Sequence, residues 1–153
     1  KYIAAFEPDP ENFLKLSNYF LNFENNKNYK IYTYAVCEVD GPVSFSENGG
    51  PTGRIGSEDL ASRVRGVALD NFELGFIPSF TVIDVEGYEM NALIGMKKML
   101  VTHKPNIAIA AYHYPADIYR LLLWLWNLNP DYKFYIRNYS GCVVDTVLYC
   151  RNY

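Results

Sequence analysis

A long hydrophobic run is the first thing this sequence does not have. Its most apolar stretch, Leu121–Trp126, is far short of the roughly 20 residues that cross a bilayer, so no membrane span is expected. Cysteine is scarce: Cys37, Cys142 and Cys150 form no CxxC pair and are odd in number. That pattern argues against a zinc site or a disulfide framework and for reduced, buried thiols in a cytoplasmic protein. An excess of basic charge is also missing. The net charge is −3 with no run of like charges, which removes the electrostatic footprint of a nucleic-acid binder. No signal-peptide pattern opens the chain, because Lys1-Tyr2-Ile3 runs straight into a strand pattern. A chain opening inside a strand is expected to be the C-terminal portion of a longer domain.

What is present is the composition of one globular domain over residues 1–153, with 50% hydrophobic and 20% charged residues. Fourteen tyrosines and nine phenylalanines point to aromatic packing and aromatic pocket walls. Tyr2–Phe6 reads as a short strand, halted by Glu7-Pro8-Asp9-Pro10, where Asp9 or Pro10 can open a helix. Phe13, Leu14, Leu16, Tyr19, Phe20 and Phe23 then recur at helical spacing up to Asn25–Asn28. Tyr29–Val36 is β-branched and aromatic, a second strand. Val39–Phe45 suggests a hairpin arm around Asp40-Gly41-Pro42, and Ser46–Ser57 reads as a loop.

Arg63–Leu69 and Phe80–Val85 read as strands, and Met90 to about His103 as a single helix. Pro105–Tyr112 is a further buried strand, and Asp117–Leu128 a helix. Tyr132–Asn138 and Val143–Cys150 alternate around Tyr139-Ser140-Gly141, which predicts a closing antiparallel hairpin. Alternating strands and helices imply an α/β domain with a mainly parallel sheet covered on both faces.

In such sheets ligands bind beyond the carboxyl ends of the strands. Four residues stand out there. Glu7 can accept both hydroxyls of a ribose, or it can favour the positive end of the following helix. Asp84 ends an apolar strand, where it can receive an ammonium group or a proton. Glu86 lies two residues on, before Gly87, and both it and Glu89 can equally serve as first-turn helix acids. His113 follows a buried strand and is either a general base or a hydrogen-bonded structural histidine. His103, in a turn, is expected at the surface. Asn48–Gly53 is glycine-rich, but it lacks a GK[ST] ending and no strand leads into it, so a mobile loop is the better reading.

Three separated segments carry a family resemblance: Ala5–Phe13 (AFEPDPENF), Ile83–Glu89 (IDVEGYE) and Lys104–Ile109 (KPNIAI). With Val67–Phe72 (VALDNF) between them, they resemble the signatures of FkbM-family methyltransferases across nearly the whole chain. The resemblance implies a Rossmann-like sheet with a final antiparallel strand. It implies methyl transfer from S-adenosylmethionine to an oxygen, often a hydroxyl on a sugar or polyketide-like acceptor. Carried onto this sequence, Glu7 would hold the ribose hydroxyls and Pro8 would border the adenine. Asp84 would line the methionine end and the acceptor pocket, with Glu86 and His113 near the acceptor.

One departure is large. The family's first strand and glycine-rich loop, which normally lie between the strands ending at Glu7 and Asp84, have no counterpart here. No metal is required by the sequence, although Asp84 and Glu86 are able to hold one for a diol acceptor. The competing readings are a nicotinamide-dependent oxidoreductase, which also places an acid after its second strand, and a truncated, non-catalytic binding domain. The acceptor and the oligomeric state are not legible in the residues.

Overall fold

The computed structural model describes residues 2–22, 28–46, 54–55, 62–142 and 144–153. The expected end of the first helix near Phe23 and the Asn48–Gly53 loop lie outside them, as does Val143, the expected start of the last strand.

The chain begins with β1 (Ile3–Phe6), α1 (Pro10–Leu21) and β2 (Tyr29–Tyr32), and β1 pairs in parallel with β2. Asp9 caps α1: its Oδ1 accepts from the Glu11 and Asn12 N–H groups at 2.9 Å, and Pro10 occupies the first helical position. The run expected as one strand over Tyr29–Val36 divides at Thr33. Its second half, β3 (Tyr34–Val36), leaves the β1–β2 pair and joins β6 (Ser62–Val67) in parallel. Residue pattern carries no trace of this break, because the aromatic alternation continues through it. The rings of Phe6, Tyr32, Tyr34 and Phe72 pack at 4.9–6.0 Å across the junction and tie the two pieces together.

The hairpin expected around Asp40-Gly41-Pro42 does not close: β4 (Gly41–Ser46) lies antiparallel to β6, which stands between it and β3. Within the stretch read as loop, Arg54–Ile55 is a short strand, β5, on the far side of β4. That correction has a tertiary cause: two residues gain strand geometry only because β4 presents a free edge to them.

The core lies in the second half. β7 (Phe80–Ile83) pairs in parallel with β8 (Asn106–Ala110), and β10 (Thr146–Arg151) lies antiparallel between β8 and β9 (Lys133–Asn138). Four consecutive residues of β8, Ile107–Ala110, are buried although they alternate in direction, so both faces of the sheet are covered here. Leu93, Met96, Leu100, Leu121 and Leu125, from the helical segments, fill this core with Ile107, Ile109 and Leu148.

The single helix expected over 90–103 is two: α2 (Glu89–Gly95) and α3 (Lys97–His103), hinged at Met96. Gly95 explains the hinge. A Cβ there would stand 1.9 Å from the carbonyl oxygen of Cys37, so the backbone of α2 abuts the end of β3. The new helix is started from outside, since Asp70 accepts from the N–H groups of Lys98 and Met99 at 2.8 and 2.9 Å. After α3 come β8 and α4 (Asp117–Leu128).

All three cysteines are free; Cys37 and Cys150 are buried, whereas Cys142 is exposed, which departs from the expectation of uniformly buried thiols. No helix among the described residues is long and apolar enough to cross a membrane.

Among the described residues, no strand pairs with the second edge of β1 or of β7. These edges flank a cleft of about 880 Å³ lined by Ile3–Phe6 on one side and Phe80–Ile83 on the other. Phe80 and Val82 are 54% and 69% exposed beside it, high for apolar strand residues. The cleft stands where the resemblance places the family's first strand.

Candidate functional site

At the carboxyl ends of β1, β7 and β8 the sequence-selected residues collect. Glu7 follows β1, its N–H donating to Tyr32 O at 2.9 Å. Glu7 is not the cap of α1. The open N–H groups of α1 are taken by Asp9, 3% exposed, so the helix does not depend on Glu7 for its cap. Glu7 Oε1 instead accepts the Asp9 N–H at 2.9 Å, holding the turn, and its carboxylate lines a cavity of about 400 Å³. Burial pushes its pKa above 4.5, against the Asp9 N–H bond, with the Asp9 and Glu86 charges adding to the rise. Pro8 borders the same cavity, as do Phe6 and Tyr34, the aromatic wall expected from composition.

Asp84, Glu86 and Tyr112 line the opposite side of that cavity. β7 ends at Ile83, in register with Ile109 of β8, so the residues just beyond the two strands are neighbours. Asp84 is half exposed, and the Tyr112 hydroxyl donates weakly towards its carboxylate at 3.4–3.5 Å. Desolvation, with the charges of Asp84 and Glu86, pushes Tyr112 up to about 12, so its hydroxyl keeps its proton and remains a donor. Glu86 sits at φ 54°, a left-handed conformation uncommon for a non-glycine residue, and Gly87 follows at φ 98°. A Cβ on Gly87 would press within 2.9 Å of the Tyr114 ring. This tight double turn aims the Glu86 side chain back at β8.

His113 receives it. Its side chain is 4% exposed; Nε2 lies 3.2 Å from Glu86 Oε2 and 3.7 Å from Asp84 Oδ1. Nδ1 lies 2.9 Å from Glu89 Oε1, and Glu89 is itself 1% exposed. Neither nitrogen meets hydrogen-bond geometry despite these short approaches, so they are contacts at ion-pair range.

Glu89 was weighed above only as a helix-terminus acid. Its carboxylate instead turns back and accepts from the N–H groups of Val85 and Gly87 at 3.1 and 3.2 Å. It is the residue that sequence reasoning undervalued, together with Tyr112; their shared signal is a polar side chain adjoining a strand-end acid or histidine. His103 is exposed, as expected. Asp84, Glu86 and His113 offer ligand atoms all within 4.8 Å of one another, so this group is able to hold a metal ion.

Chemically, the geometry provides the Glu7 carboxylate and the Asp84–Glu86 pair around one cavity, with the buried His113 imidazole against that pair but outside the cavity lining. The first suits the hydroxyls of a nucleoside, the second a proton, an ammonium group or a cation.

A family model described as the methyltransferase FkbM domain matches residues 1–134. The fold is similar to the crystal structure of methyltransferase FkbM from Methylobacillus flagellatus KT, with a TM-score of 0.80 and 23% identity. That likeness covers 98% of this chain but only 36% of the other, so the chain spans about a third of that protein. No curated protein matches the chain.

Proposed function

Since the chain belongs to the FkbM methyltransferase domain family, we propose that it forms the acceptor-side and ribose-side walls of an S-adenosylmethionine-dependent methyltransferase acting on a hydroxyl oxygen. The acceptor class proposed is a sugar or polyketide-like hydroxyl. The observation that carries this reading is one cavity of about 400 Å³ with Glu7 and Pro8 on one wall and Asp84 and Glu86 on the other. Its volume falls in the range of small-molecule sites, roughly 300–1,000 Å³.

The residues fit the cofactor at the ribose end. Glu7 is a desolvated carboxylate beyond a strand end, and its charge is better accommodated once two hydroxyls donate to it. Pro8 offers an apolar edge to the adenine. Bound there, S-adenosylmethionine supplies a methyl group already activated on a sulfonium. The tasks left to this chain are to align the acceptor, exclude water and remove a proton. Asp84, beyond the end of β7, orients the donor's amino group or the acceptor hydroxyl. His113 takes the hydroxyl proton at Nε2, while Glu89 behind Nδ1 fixes the ring. Glu86, turned in by its left-handed backbone, steadies the charge that develops on the imidazole.

A nicotinamide oxidoreductase reading draws no support from the family match. The test is transfer of labelled methyl from S-adenosylmethionine to a panel of sugar and polyketide hydroxyls by the native protein containing these residues. Label on an oxygen is expected. Undiminished labelling by a Glu7→Ala, Asp84→Asn double variant would remove the assignment.

A further inference from the structure

We infer that Asp84, Glu86 and His113 form a binding site for a divalent first-row cation of the manganese-to-zinc kind. The inference rests on reading this end of the cavity as the acceptor side. It changes one assignment there, because His113 then works through the ion rather than as a free base.

Three observations meet. The three ligand atoms lie within 4.8 Å of one another, with Nε2 3.2 Å from Glu86 Oε2 and 3.7 Å from Asp84 Oδ1. Around an ion with bonds of roughly 2.1 Å, adjacent ligands stand about 3 Å apart, so little movement closes the set. Second, the His113 side chain is 4% exposed, and Nε2 points at the two carboxylates without a hydrogen bond. A buried ring nitrogen in that position is expected to have a partner. Third, Nδ1 faces Glu89 Oε1 at 2.9 Å, and Glu89 is anchored by the N–H groups of Val85 and Gly87. The imidazole and the two carboxylates thus converge on one point.

A cation resolves that convergence. The carboxylate behind the histidine is the arrangement that fixes tautomer and ring direction in metal sites. Two carboxylates balance the charge of a dication and suit manganese, while the imidazole favours iron or zinc over magnesium or calcium. Three protein ligands leave coordination positions for water or for an acceptor hydroxyl, whose proton is more easily lost once the oxygen is bound to the ion. A vicinal diol, offering two oxygens, suits such a site best.

The chain is stripped with a chelator and titrated with Mn2+ alone, following free Mn2+ by electron paramagnetic resonance. One ion per chain is expected. Asp84→Asn, Glu86→Gln and His113→Ala should each weaken binding at least tenfold, and Glu89→Gln by about 10–100-fold through the ring it orients. Glu73→Gln, exposed and outside the site, should bind as the parent does. Far-ultraviolet circular dichroism checks that each variant is folded. No saturable Mn2+ binding, or parent-like binding by a folded Asp84→Asn, Glu86→Gln double variant, overturns the site. Methyl transfer is assayed separately on the native protein before and after chelation. Transfer that survives complete chelation with no Mn2+ site detected overturns the ion and leaves the methyltransferase reading standing. Mn2+ bound by the three residues without methyl transfer supports the ion and removes the methyltransferase reading.

Discussion

Glu7 holds two opposing demands, and both are measurable. As a cofactor ligand its carboxylate should accept hydrogen bonds from the ribose, so Glu7→Ala is expected to weaken S-adenosylhomocysteine binding by roughly 1.5–3 kcal/mol. Calorimetry on the native protein reads this directly. As a half-buried acid, its pKa is raised above 4.5, with desolvation the largest cause. The folded state therefore binds the proton more tightly than the unfolded chain does. Stability falls as pH rises through 4.5 and the raised value, and the charged form is a burden at neutral pH. Glu7→Gln should thus raise the denaturation midpoint of the ligand-free protein at pH 7 and change it little at pH 4. An equal effect at both pH values would mean that the carboxylate carries no desolvation strain.

His113→Ala should lower turnover by roughly 10²–10⁴-fold, the usual contribution of a positioned proton acceptor or of the group that activates one. S-adenosylhomocysteine affinity should hardly change, since the ring faces the Asp84–Glu86 wall rather than Glu7. Near-normal turnover in the folded variant would make the histidine structural.

At the scale of elements, the hinge between α2 and α3 depends on two residues far from the chemistry. Gly95→Ala places a methyl group 1.9 Å from the Cys37 carbonyl oxygen, a backbone atom that cannot swing away. A loss of roughly 1–3 kcal/mol in urea unfolding is expected, the range for overpacking, and more if β3 is displaced. Asp70→Ala removes the cap of α3 contributed from the 3-10 turn Leu69–Asn71 and should cost about 1 kcal/mol. An Asp70→Asn variant that retains most of that stability would show that the hydrogen bonds, rather than charge, start the helix. Their connection to function runs through the turn before α2. Glu89 opens that helix and reaches His113, so the packing that places α2 also places the imidazole.

On the scale of the whole molecule, protection is unevenly distributed. β8 and β10 have strands on both sides, with β8 buried on both faces and β10 on one, whereas β1 and β7 each keep one free edge on the 880 Å³ cleft. Amide hydrogen exchange should therefore be fast in Ile3–Phe6 and Phe80–Ile83 and slow in Ile107–Ala110. Comparable protection in all three segments would mean that something covers the cleft in solution. Because Glu7 and Asp84 stand just beyond β1 and β7, any strand seated between those edges would also fix the width of the functional cavity. The distance across the site is thus a property of the assembled sheet and of neither wall alone.

Local pattern by itself determined most of the elements and picked out the strand-end residues that the fold gathers into the candidate site. The Pro-Asp-Pro turn, the apolar β8 run and the final alternation specify conformations that depend on near neighbours, and glycine or proline marked their ends. Asp84, Glu86, His113 and Glu7 were legible because strand ends are where such folds bind ligands, and a titratable side chain there is visible in one dimension. What the tertiary structure alone decided depends on contacts between distant segments. Thr33 divides a continuous strand pattern because β3 pairs with β6, and α2 and α3 separate because Gly95 meets Cys37. Glu89 opens α2 as a first-turn acid and is also the partner of a buried imidazole, because its side chain can turn either outward to solvent or back towards β8. Periodicity cannot distinguish those two directions; only the packing of the β7–α2 turn against His113 selects one.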